Sequence, residues 1–66
     1  MATETDVWRT AMIIASEFGA EGVSFASRMA QSFEIGGEVE EQKTWLSITA
    51  KVEELTSPET TARQPQ

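Results

Sequence analysis

The 66-residue sequence predicts an all-α protein, a three-helix mini-bundle with a disordered C-terminal tail. Three observations carry that expectation. Apolar residues recur at helical spacing in three consecutive stretches. Glycines separate those stretches. Alternation of polar and apolar residues, the mark of a strand, is absent over any useful length. The third stretch organises the rest. Trp45, Ile48, Val52 and Leu55 follow at steps of three, four and three, which sets them on one stripe of a helix. Leu46 and Ala50 add a second apolar strip on its flank. Two adjoining stripes call for two neighbours, so this helix is expected to be the central strut.

Residues 1–4 are short and polar and are expected to fray. Helix 1 is expected at about 5–18. Thr5 or Thr3 is its candidate N-cap, because a hydroxyl there accepts an otherwise orphan backbone N–H. Asp6 complements the positive dipole end. Val7, Trp8, Ala11, Ile14, Ala15 and Phe18 share one broad face, and Gly19 supplies a stop. After a short connection at Ala20-Glu21-Gly22, helix 2 is expected at about 22–35. Val23, Ala26, Ala30 and Phe33 line one side, with Phe25 and Met29 at its edge. The small Ala26 and Ala30 would let another backbone approach closely. Gly36-Gly37 breaks the helix. Helix 3 then runs over about 38–56, opened by Glu38, Glu40 and Glu41. On its wet face Lys51 and Glu54 are spaced to pair. Ser57-Pro58 ends it, and 57–66, with two prolines and one apolar residue, is expected to be disordered. The ordered part, 5–56, reads as a single helical domain.

Composition limits the function. Eleven acids against five bases give a net charge of −6, which repels phosphate backbones and argues against direct nucleic-acid binding. The absence of cysteine excludes disulfides and thiolate metal sites. Without histidine the usual general base is missing, so the residues point away from an enzyme. No apolar run is long enough to span a bilayer, and the first residues carry neither basic region nor apolar signal core, so a cytoplasmic location is expected. No cofactor is implied: the four glycines form no phosphate-binding fingerprint and read as helix stops.

The candidate chemistry is weak, and each feature has a bland counterpart. Ser47 and Lys51 lie one turn apart, but a serine–lysine dyad needs a desolvated amine, and both point away from Trp45 into solvent. Glu34, Glu38, Glu40 and Glu41 form an acidic patch at the Gly-Gly turn. It lacks the converging donors of a cation site, and dipole complement and solubility explain it. Trp8 and Trp45 could be binding anchors but sit on core stripes. Ile13 is the anomaly. It falls about 120° or more from the centre of the helix 1 apolar face, among Arg9, Ser16 and Glu17, with Met12 at the edge of that face. In so short a chain, an unburied Ile beside a flexible Met suits a helix–helix contact.

Val7-Trp8 followed by Ala11, Phe18-Gly19, Phe25-Ala26, Arg28-Met29, Gly36 with an acid soon after, and Trp45, Ile48, Ala50 and Leu55 together carry a resemblance. Over about 7–55 the chain resembles a family of short alphaproteobacterial helical proteins of unknown function. The family's second-helix motif Phe-Ile-Ala-Glu-Arg-Ile reads Phe25-Ala26-Ser27-Arg28-Met29 here. The resemblance implies a short helical bacterial protein and no activity. The function expected from the residues is therefore a small acidic protein–protein interaction module. Its partner is itself or another protein, most simply as a homodimer through Met12 and Ile13 of helix 1. The alternative is an acidic inhibitor that mimics nucleic acid and binds a basic nucleic-acid-handling protein, with Glu34, Glu38, Glu40 and Glu41 as the start of a phosphate-like row.

Overall fold

The computed structural model describes residues 3–56. Met1, Ala2 and the tail expected at 57–66 lie outside the described residues. Within them the chain forms α1 (Glu4–Phe18), a single 3-10 turn (Gly19–Glu21), α2 (Gly22–Ile35) and α3 (Val39–Thr56), with no strand. The all-helical expectation holds. The count of separate helices does not, because no loop residue parts α1 from α2: 4–35 is one continuous stretch of helical turns, bent at Gly19, and 39–56 is the second. The expected connection at Ala20-Glu21-Gly22 is not a loop. Gly19 takes φ 58 and ψ −133, outside the left-handed helical well, and its N–H still donates to the Ala15 carbonyl. The chain then resumes at once in a 3-10 turn, with the Gly22 N–H donating to the Gly19 carbonyl.

α1 begins one residue earlier than expected, and Thr3 is its cap rather than Thr5. The Asp6 N–H donates to Thr3 Oγ1 at 3.1 Å, and the Thr3 N–H donates to Asp6 Oδ2 at 3.4 Å. This reciprocal pair satisfies two backbone donors that would otherwise be orphans. Thr3→Ala is expected to lower stability by about 1 kcal/mol, a melting shift of roughly 4–8 °C for a domain this small. Circular dichroism at fixed protein concentration reads it. Thr5→Ala should leave the melt where it was.

The turn between α2 and α3 is fixed by its backbone. The Glu38 N–H donates to the Phe33 carbonyl at 2.8 Å and the Gly37 N–H to the Glu34 carbonyl at 3.1 Å. These are the two bonds of a Schellman stop, and Gly37 takes the positive φ of 77 that it needs. α3 therefore returns antiparallel along α2, so that Phe25 meets Trp45 and Gly22 lies level with Val52. α1 runs the other way, parallel to α3. Its first turn lies beside Lys43 and Ser47, and Ile14 meets Gly22 and Val52 at its far end. α3 is the element against which both α1 and α2 pack.

The core is small. It holds Val7, Ala11 and Ile14 from α1, Ala26 and Ala30 from α2, and Ile48 and Val52 from α3. Ala26 and Ala30 are buried as expected of a close backbone approach. Three sequence expectations need correction. Leu55 is 44% exposed, because it lies a turn beyond Val52, which is already level with the start of α2. The Leu46–Ala50 strip is exposed, because the α2 side chains facing Leu46 include Ser27 and Ala30, too short to cover it. Phe18 and both tryptophans are only partly covered. Phe18 stacks on Phe25 at 4.8 Å, and Phe25 meets Trp45 edge-on at 6.2 Å, so these rings form a ladder along the core's margin.

Candidate functional site

Met12 and Ile13 stand out from α1, each 57% exposed. They leave the helix on different sides. By the 100° step, Met12 lies beyond Trp8 and Ala15 while Ile13 lies among Arg9, Asp6 and Glu17. Arg9 reaches Asp6 at 3.9 Å, the ion pair found among the described residues. The charges around Ile13 are thus of both signs.

Glu34, Glu38, Glu40 and Glu41 are all exposed and surround the Schellman turn. Glu40 and Glu41 occupy the first turn of α3, where the helix dipole favours a carboxylate. Among the described residues, no group of three or more acidic side chains converges as a metal would require. Between these acids stand two side chains that the sequence reading did not single out. Ile35 is 81% exposed, the most of any large apolar side chain among the described residues, and Val39 is more than half exposed. Both were legible. Ile35 falls roughly 180° from the Ala26–Ala30 stripe, and Val39 shares a face with Leu46, seven residues on, far from Ile48 and Val52. Leu46 lines an open cleft between α2 and α3, opposite Ser27, Gln31 and Glu34, with a volume of about 300 Å³.

Ser47 and Lys51 open onto the other side of α3. They line a second cleft, of about 290 Å³, against Thr3 and Glu4 of α1. Lys51 is half-buried rather than fully solvated, with Nζ 5.0 Å from the centroid of the Trp8 ring. The negative face of the indole attracts the ammonium and draws the lysine stem across α1. The expected pairing with Glu54 is replaced by this contact. The hydroxyls nearby are occupied by the helix itself: Thr44 Oγ1 donates to the Glu40 carbonyl at 3.1 Å and Thr49 Oγ1 to the Trp45 carbonyl at 2.7 Å. Two cations line the cleft, Lys43 and Lys51, the second held on the Trp8 ring, and the Thr44 hydroxyl is turned to backbone. The Lys51–Trp8 contact ties α1 to α3.

Among the described residues, no helix is long and apolar enough to cross a membrane. No protein-family model, curated protein or solved structure matches the chain.

Proposed function

We propose that this chain is a small acidic helical protein–protein interaction module, acting in the cytoplasm, and that it self-associates as a symmetric dimer through Met12 and Ile13 of α1. One observation supports this reading above the others. Seven large apolar side chains are exposed, as many as the buried residues that form the whole core, and three of those seven buried residues are alanine. A chain this short gains little from such a core alone, and burying the exposed set against another polypeptide offsets the entropy of ordering it. α1 suits the self-contact because the charges beside Ile13 include both signs. A two-fold axis can then set Arg9 of one copy against Asp6 or Glu17 of the other.

Light scattering or sedimentation at micromolar concentration tests this directly. The expected result is a dimer that Ile13→Lys converts to a helical monomer. A wild-type chain that is monomeric, fully helical and cooperative in its melt would overturn the self-association. The nucleic-acid-mimic alternative gains less support. The acids at the turn are exposed, but Ile35 and Val39 interrupt them, and a phosphate-like row has no apolar members.

A further inference from the structure

The face around the α2–α3 turn has a composition of its own. Ile35 ends α2 one helical turn beyond Gln31, a wall residue of the α2–α3 cleft. Leu46 lies on the α3 wall of that cleft, and Val39 stands two turns before it on the same stripe of α3. All three are exposed by half or more. Within four residues of Ile35 or Val39 stand Glu34, Glu38, Glu40 and Glu41 and one base, Lys43, which lines the opposite cleft against α1. The result is an apolar strip with a rim of carboxylates. The Schellman bonds hold the two helix ends in a fixed relation beneath it.

Building on the interaction-module reading, we propose that this face docks a partner's basic amphipathic helix, whose apolar stripe covers Ile35, Val39 and Leu46 and whose flanking Lys or Arg side chains meet the four glutamates. Charge complementarity selects that occupant. A second copy of this chain on the same face would set four carboxylates against the same four, and like charges across an interface are strongly disfavoured. An apolar helix without a basic flank would leave the rim unanswered. A basic helix satisfies both, and an apolar stripe at i, i+3, i+4 and i+7 matches a shallow cleft between two helices.

The test uses the full chain and a fluorescent synthetic peptide of about four helical turns, with leucines at that spacing and lysines on both flanks. A control peptide has the same composition in an order that destroys the stripe. The ordered peptide should bind and the scrambled one should bind at least about tenfold more weakly. Val39→Ser with Leu46→Ser should weaken the ordered peptide by a similar factor while leaving the helical circular dichroism intact, since both side chains already face solvent. Replacing the four glutamates by glutamine should weaken it too, and raised salt should act in the same direction. Nuclear magnetic resonance shifts should centre on Ile35, Val39 and Leu46. Equal binding of the two peptides, or shifts centred on α1, would overturn the proposal. The monomeric Ile13→Lys variant separates the two readings. Peptide binding kept in that variant supports this face independently of the dimer, and binding lost there shows that α1 carries the contact.

Discussion

Ile48→Ala is expected to leave the chain largely unfolded at physiological temperature. Ile48 is 3% exposed and belongs to the cluster that joins Val7, Ala11 and Ile14 of α1 to Ala26 of α2 and Val52 of α3. Truncating a buried isoleucine costs about 2–5 kcal/mol, and the value depends on whether the surroundings can close over the space. Here they close poorly. Ala11 and Ala26 have no rotatable side chain to swing inward, and Val7 and Val52 are stiff at χ1 in a helix. Only movement of a whole helix would fill the gap. Set against a total of about 3–10 kcal/mol for a chain of this length, the loss takes a large share. Thermal and urea melts at one fixed protein concentration should show a midpoint lowered by more than about 10 °C. Leu46→Ala, made on the exposed side of the same helix, should shift stability by no more than about 0.5 kcal/mol. Similar shifts for the two variants would mean that α3 does not pack through Ile48.

The contrast between Ile48 and Leu46 shows where the sequence was sufficient. Period alone separates the Trp45–Ile48–Val52 stripe from the flank, and the bounds of α2 follow from its glycines. The exposure of the four acids and of Met12 and Ile13 was readable for the same reason, since each lies off the apolar stripe of its helix. What local pattern cannot supply is the level at which one helix stops covering another. Leu55 continues the stripe faultlessly and is exposed because α2 begins level with Val52. Lys51 is spaced to meet Glu54 but lies across the Trp8 ring, forty-three residues earlier. Gly19 signals a stop, yet nothing next to it says that a 3-10 turn resumes the helix immediately. Ile35 and Val39 differ from these. Their angle on the helix was readable, but beside four glutamates the charge is the louder signal.

Gly22 depends on the same long-range geometry, and its replacement should produce the second large effect. It reads as a helix breaker, but its φ of −62 and ψ of −34 are ordinary helix, open to any residue. Its role is spatial. A Cβ placed there would lie 2.9 Å from Ile14 Cγ2 and 3.0 Å from Val52 Cγ1. Gly22 is thus a point where α1, α2 and α3 meet closely, and hydrogen in place of a methyl is what permits it. Two effects oppose each other in Gly22→Ala. Alanine favours helix over glycine by about 1 kcal/mol, less in a first turn. Overpacking costs about 1–3 kcal/mol, and both obstructing methyls sit on β-branched side chains with little rotamer choice. The steric term should win for alanine and dominate for Gly22→Val, with a loss of about 3 kcal/mol. Val52→Ala supplies the decisive partner. It removes one of the two obstructing methyls, so the double variant Gly22→Ala with Val52→Ala should be more stable than the sum of the single losses by at least about 0.5 kcal/mol. If instead Gly22→Ala stabilises the protein, as at an unobstructed helical glycine, or if the two losses simply add, then the three segments do not meet at Gly22 and the bend of the first helical run must be held elsewhere.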